Sequence, residues 1–274
     1  MYHFIVLLGM SFMSGCIGNS QESARQQSPV VHTTLADIPL PYGYQRIPAA
    51  PPDKATFFRS LPLKKNNTVY LYNGDRKLNQ SAQYAVLHID VGDKDLQQCA
   101  DAVMRLHAEY LWKQKRFDEI RFYFTNGFLC DYDHYRKGYR LKINGNNTSW
   151  HHIAKENNGY ATFRDYLDLV YSYAGTRSLH GQLRSVRRSV KPGDIFIQTG
   201  NPYGHAVTVM DVAYNPSIHD TIFLLSQSYM PAQDIHVLKN PNDSKLSPWY
   251  SSGFTSKLET PEWTFYKDNL MCFD

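Results

Sequence analysis

The chain has few of the residues that announce familiar chemistries. Its four cysteines, Cys16, Cys99, Cys130 and Cys272, fall in no paired or framework spacing. That excludes a disulfide-stapled scaffold and the zinc modules built on close cysteine pairs. No GxGxxG, GxxxxGK[ST] or HExxH run occurs, so no dinucleotide, phosphate-loop or zincin site is signalled, and neither cofactor nor metal is expected. Charge of one sign is scarce too. The 29 basic and 25 acidic residues leave +4, scattered along the chain. Such a surface gives no footprint for nucleic acid. A mean hydropathy of -0.47 argues against a polytopic membrane protein.

What is present is a folded composition. Hydrophobic residues make up 42% of the 274, and aromatics 14%, with 20 tyrosines. That suffices for one large domain, or one domain with an embellishment. Residues 1–16 form a short apolar segment ending at cysteine. Its run Phe4–Phe12 is too short to cross a bilayer as a helix. Met13-Ser14-Gly15-Cys16 resembles a bacterial lipobox, which implies lipidation at Cys16 and a membrane attachment through a lipid anchor only. An ordinary secretory signal or a buried N-terminal strand are the alternatives. Residues 17–37 begin rich in Gly, Ser, Gln and Asn and read as a flexible tether. Residues 38–274 read as a single α+β domain.

The domain is organised around Lys191–Ala213. Pro192-Gly193 breaks the chain, Ile195–Ile197 is a strand, and residues 199–204 form a return loop. His205–Val212 is a second strand. Period-2 alternation puts His205, Val207, Val209 and Asp211 on one face. Thr221–Gln227 and Ile235–Leu238 read as further strands. Helices are expected earlier: Thr56–Leu61, Ala161–Tyr173, Leu179–Val186, and one from Asp95 or Leu96 to about Lys113. For the last, Asp95 and Gln98 have capping-box spacing, and Leu96, Cys99, Val103, Leu106 and Tyr110 mark the apolar stripe. Phe117–Thr125 reads as a strand. The final 35 residues look irregular but aromatic, and are expected to pack over an edge or groove. Helices early and an antiparallel sheet late indicate α+β.

Cys99 and His205 are the candidate catalytic pair. A thiol early on a helix feels the positive end of the helix dipole, and a histidine opening a strand is held rigidly. Together they have the layout of thiol nucleophile catalysis, with the imidazole as base. Gln227 could orient His205. Asp211 lies six residues along the strand from His205, too far at about 3.3 Å per residue to join a triad. Each candidate has a plain alternative. Cys99 lies on the apolar stripe and reads also as a core residue, His205 as a hydrogen-bonded strand histidine, and Gln227 as a satisfied buried amide. A second polar group is Asn126, Asp131, Asp133, His134, Arg136 and Arg140. Arg136 and Arg140 would share a helix face and could hold a carboxylate or phosphate, or simply form a solvated face. Tyr229, Trp249, Tyr250 and Trp263 could stack on a glycan or build core. Cys130 and Cys272 are left as a bridge or as buried thiols.

NQSAQYAVLHIDVGDKDLQQCADAVMRLHAEYL, FYFTNGF, DYLDLVYSYAGTRSL, GDIFIQTGNPYGHAV and LLSQSYMPAQDIHVLKNP together resemble a bacterial family known as the domain of unknown function 4846 (DUF4846). The resemblance covers about residues 40–265. Its members look like lipoproteins, which implies a cell-envelope location, periplasmic or on the outer-membrane or surface side. GDIFI, GHAVTVMDV and IFLLSQS are also similar to the last strands of NlpC/P60 and CHAP cysteine peptidases and amidases. That likeness implies a papain-like fold, an antiparallel sheet packed against helices with extra N-terminal and insert elements. It also implies Cys99 as nucleophile, His205 as base and Gln227 as orienting residue. The expected activity is cleavage of amide bonds in cell-wall peptide. A non-catalytic envelope protein that binds peptidoglycan, another glycan or a peptide is the competing class.

Overall fold

Lys191-Pro192-Gly193-Asp194 turns the chain into the central sheet. Gly193 takes φ +90°, and the Asp194 N–H donates to the Lys191 carbonyl at 3.1 Å, closing a tight turn that only glycine enters without strain. The Asp194 carboxylate accepts from the Lys191 N–H at 2.8 Å and pairs with Arg188, so the turn is locked from both sides. Strand and return strand follow directly, as the breaker and the alternation predict.

The computed structural model describes Met1 and residues 33–274, so the lipobox cysteine Cys16 and most of the expected tether lie outside the described residues. Residues 33–274 belong to one compact unit. In chain order the elements begin with β1 (Gln45–Arg46), α1 (Lys54–Arg59), β2 (Gln83–Val86) and α2 (Cys99–Lys113). Next come β3 (Arg121–Tyr123), β4 (Leu129–Asp131), α3 (Tyr132–Arg136), β5 (Tyr139–Asn144), β6 (Asn147–His152), α4 (Tyr160–Tyr173) and α5 (Thr176–Gln182). The rest is strand: β7 (Arg184–Ser185), β8 (Ile195–Gln198), β9 (His205–Asn215), β10 (Asp220–Gln227), β11 (His236–Leu238), β12 (Tyr250–Ser251), β13 (Lys257–Glu259), β14 (Thr264–Tyr266) and β15 (Leu270–Cys272). The fold is α+β, with nine strands in one sheet ordered β2-β11-β10-β9-β8-β15-β7, where β1 also pairs with β9 and β12 with β10. Its pairings are antiparallel.

Both faces of the sheet are buried, which is why β9 and β10 are apolar at nearly every position. Ile195, Ile197, Ala206, Met210, Ala213 and Leu224 join one core with Ala102, Val103 and Leu106 of α2. Phe196, Val207, Val209, Val212 and Leu225 turn the other way, into a second core with Leu258 and Phe265 of the β13–β14 hairpin. The C-terminal stretch that looked irregular is thus a hairpin laid over the second face, followed by a strand, β15, inserted between β8 and β7.

Several expectations need correction. Helix α2 begins three residues later than the Asp95 signal implies, with Gln98 in place of Asp95 as the cap. Asp95 is drawn into a tertiary contact, its Oδ1 accepting from the Ala232 N–H at 2.7 Å. Gln98 caps the helix instead, with its N–H donating to Asp101 Oδ2 at 3.0 Å. Strand β3 is only three residues, because Phe117–Glu119 makes a single 3-10 turn. Asp211 does not share the face of His205. A bulge opposite Leu224 and Leu225 leaves Met210 unpaired and flips the alternation beyond it. Asp211 thereby turns to the α1 side and meets Arg46 and Arg59 at 2.7 Å each, fully buried. Cys99, Cys130 and Cys272 are free buried thiols, so no Cys130–Cys272 bridge forms.

Candidate functional site

Register brings His205 and Gln227 together. Ser226 pairs with Thr208, so Gln227 stands beside Val207 on the same face as His205. His205 Nε2 lies 2.8 Å from Gln227 Oε1. The amide nitrogen of Gln227 faces Glu262 Oε2 at 2.7 Å and His236 Nε2 at 3.3 Å. His236 Nδ1 faces the Asp234 carbonyl at 2.9 Å.

These contacts assign the protons. A carbonyl only accepts, so His236 Nδ1 carries hydrogen and its Nε2 is an acceptor. The Gln227 amide nitrogen then donates to two acceptors, His236 and Glu262, and its oxygen accepts from His205 Nε2–H. His205 is therefore the Nε2–H tautomer, with a bare lone pair on Nδ1. Glu262 is itself held by the Lys77 ammonium, a pair largely withdrawn from solvent, and by Asn79 Nδ2 at 3.0 Å. The rings of Tyr229, Trp263 and Phe265 enclose the imidazole at centroid distances of 4.9, 5.2 and 5.9 Å. Burial pushes His205 down to about 4, against the smaller opposing pulls of Gln227 and Glu262, and pushes His236 down to about 3. Both rings are neutral near pH 7.

Cys99 is the first residue of α2, nearer the helix end than its sequence context implies. Its Sγ lies 3.9 Å from the Gly204 carbonyl. Backbone N–H groups of Ala206, Ala100 and Cys99 favour the thiolate, but burial, followed by the Asp101 carboxylate, outweighs them and pushes the thiol up to about 11. The sulfur thus sits against the backbone on either side of His205. No hydrogen bond joins the Cys99 and His205 side chains; the imidazole turns to the hairpin face, and α2 packs on the other. Gly204 is required by close packing. A Cβ there would meet the Gln198 carbonyl oxygen at 2.2 Å and Thr176 Oγ1 at 2.9 Å. Cys99, Gly204 and Tyr203 line a cavity of about 220 Å³.

The other sequence candidates separate. Gly138 ends α3 after Arg136, and Arg140 falls on β5, so the two arginines share no helix face. Arg136 pairs with Asp133, while the Arg140 guanidinium lies 3.9 Å over the Tyr135 ring and donates to two backbone carbonyls. Asp131 caps α3, accepting from the His134 N–H at 2.8 Å, and Asn126 bonds the β5–β6 turn at Asn146. No group of three metal-ligating side chains is found among the described residues. Trp249 and Tyr250 are core, whereas Tyr229 and Trp263 form the wall around His205. Sequence reasoning missed Lys77, Glu262, His236 and Asp101. Only His236 fell on an expected strand, Ile235–Leu238, and it faces Gln227 across the β10–β11 pair.

No helix of the described residues is long and apolar enough to cross a membrane. Neither the curated proteins nor the solved structures offer a match to this chain. A family model does match, over residues 35–272, almost the whole of the described chain including every residue of the His205 network. By that match, the chain belongs to the family described as Domain of unknown function (4846).

Proposed function

We propose that this chain is a cell-envelope lipoprotein with a papain-like, NlpC/P60-like thiol hydrolase arrangement that cleaves amide bonds of cell-wall peptides. The observation that carries the reading is the proton assignment at His205. An imidazole whose Nε2–H is fixed by Gln227 keeps the other nitrogen free as a base, the role a thiol nucleophile requires. Cys99 Sγ lies against the carbonyl of Gly204, the residue before His205. The two side chains lie on opposite faces of β9 as they stand, so the proposed reaction requires them to be brought together before Cys99 loses its proton to His205 Nδ1 and adds to the amide carbonyl carbon. The C–N bond then breaks, with the leaving amine taking the proton from His205, and water hydrolyses the thioester. The N–H groups of Cys99 and Ala100, which face the sulfur, would serve the developing oxyanion in this reaction. Met13–Cys16 and the apolar run before it support a lipid anchor at Cys16.

A second reading, a non-catalytic envelope protein binding glycan or peptide, has its own support. Cys99 is 6% exposed and His205 1%, the thiol is raised and the imidazole lowered, so proton transfer between them is uphill as they stand. The test is turnover of muropeptides by wild type, Cys99→Ala and His205→Ala, with mass spectrometry for an acyl adduct on Cys99. The hydrolase predicts amine release and a Cys99 adduct in wild type, neither in Cys99→Ala, and at least a hundredfold slower release in His205→Ala, about the general-base contribution. Unchanged retention of wild type and Cys99→Ala on cell-wall material, with no turnover by either, contradicts hydrolysis and supports the binder.

A further inference from the structure

Lys54 is a cation without a counter-ion. It is the first residue of α1, whose cap Asp53 accepts from the Ala55 N–H at 2.7 Å. Its stem lies against Gly193, where a Cβ would meet Lys54 Cδ at 2.6 Å. Its ammonium stands 5.8 Å from the ring centres of both Tyr110 and Phe273. The side chain forms no hydrogen bond or ion pair with a described residue. Ring faces attract a cation, but they give its N–H groups no lone pair to donate to. Lys54 is half-buried and lines two cavities, one of about 690 Å³ and one of about 570 Å³. The larger falls within the range of small-molecule sites, about 300–1,000 Å³. It shares no lining residue with the cavity beside Cys99.

Charge selects the ligand class. The acidic residues lining the larger cavity, Glu119 and Asp274, are taken by Arg116 and by Arg184. On the side of the smaller cavity, Asp194 is taken by Arg188 at 2.7 Å. The cations therefore have their carboxylates, and Lys54 is left over. Burial lowers its ammonium below the ordinary 10.5, with Arg116 and Arg188 adding to the shift and Asp194 and Cys272 opposing it. Arg121 also lines the larger cavity, but it is exposed and its charge is screened by solvent. The single charge withdrawn from water is that of Lys54. A singly charged carboxylate matches it, whereas a phosphate dianion overshoots. Leu111, Leu129 and Tyr123 give the same cavity an apolar flank.

We propose that the larger cavity binds a small carboxylate with an apolar or aromatic body, its oxygens accepting from Lys54 Nζ while the body lies along Leu111, Leu129 and Tyr123. The ammonium then gains the acceptor that the rings of Tyr110 and Phe273 do not supply. Placement separates this site from the proposed chemistry. Tyr110 stands eleven residues along α2 from Cys99, about 16 Å at 1.5 Å per residue. Neither Cys99 nor His205 lines the cavity, so the site does not depend on hydrolysis.

The test titrates the whole protein near pH 7 and at low salt with three probes, followed by NMR. Benzoate carries one negative charge, benzamide has the same shape without it, and phenyl phosphate carries a larger charge. The expected result is that benzoate binds about tenfold or more tightly than benzamide, and more tightly than phenyl phosphate. Lys54→Met keeps an apolar stem over Gly193 and should abolish the preference for benzoate. It should also raise the thermal midpoint of the ligand-free protein, because it removes a charge withdrawn from water without a partner. Equal binding of benzamide, binding of none of the probes, or a preference for phenyl phosphate overturns the proposal. So does a preference for benzoate that survives Lys54→Met. A midpoint that is not raised in Lys54→Met overturns it as well, since the rings alone would then satisfy the ammonium.

Discussion

On the hairpin side of β9 the groups around His205 are tied into one chain, Gln227 to His236 and Glu262, and Glu262 to Lys77. On the helix side, Cys99 lines a cavity with Asp101 and Tyr171, whose Oδ1 and Oη are shut away from solvent without a partner. The difference is one of task. A satisfied network fixes a ring in one tautomer and orientation, at the cost of freedom that a base does not need. The unpartnered oxygens on the helix side impose no such restraint on Cys99. The two halves meet at Gly204, whose carbonyl touches the thiol and whose missing side chain lets the β8 end approach.

The comparison is broken most severely at its charged end. Glu262→Ala leaves Lys77, 7% exposed, without a counter-ion and takes an acceptor from Gln227. Breaking a buried pair in this way should cost about 3–5 kcal/mol, read from urea denaturation midpoints. A loss under about 1 kcal/mol would mean the chain is not a structural unit. Gln227→Leu comes next. It preserves volume but strands His205 Nε2–H and the His236 acceptor, and should cost about 1–3 kcal/mol in the same measurement.

The pH dependence is gentler, at most about 1.4 kcal/mol per pH unit for each group. His205 and His236 are lowered to about 4 and about 3 from 6.5. Between 6.5 and those values the unfolded chain binds protons that the folded chain refuses, so their contribution is present above pH 6.5 and is lost on acidification toward 4. Asp101 works in the opposite sense. Raised from 3.8 to about 8, it holds a proton when folded that the unfolded chain has released, so its contribution is full below pH 3.8 and is lost as pH rises to about 8. Comparing thermal midpoints, Asp101→Asn should gain on wild type between pH 5 and 8, and a difference independent of pH would contradict the buried, unpartnered carboxyl.

The Pro192-Gly193 turn, β8, β9 and β10 were legible in the sequence because turn chemistry and period-2 alternation are local. So was the early-helix, late-strand order that gave α+β. That Gln227 could reach His205 was expected from its place at the end of the neighbouring strand, and the two lie 2.8 Å apart. Parity failed for Asp211 because a single bulged residue at Met210 reverses every later position, and no local composition marks it. The helix start was misplaced because Asp95, a good cap by spacing, is claimed by the Ala232 N–H, a contact 137 residues away in sequence. Glu262 and Lys77 were invisible for the same reason. Their pairing spans 185 residues and exists only once the C-terminal hairpin covers the sheet.

The most direct test of the central claim is the protonation of His205 itself, read from imidazole nitrogen-15 shifts across pH 5 to 8. The account predicts a neutral ring throughout, with hydrogen on Nε2 and an unprotonated Nδ1. A ring carrying its hydrogen on Nδ1, or one that titrates near 6.5, would contradict it and remove the base on which the proposed chemistry depends.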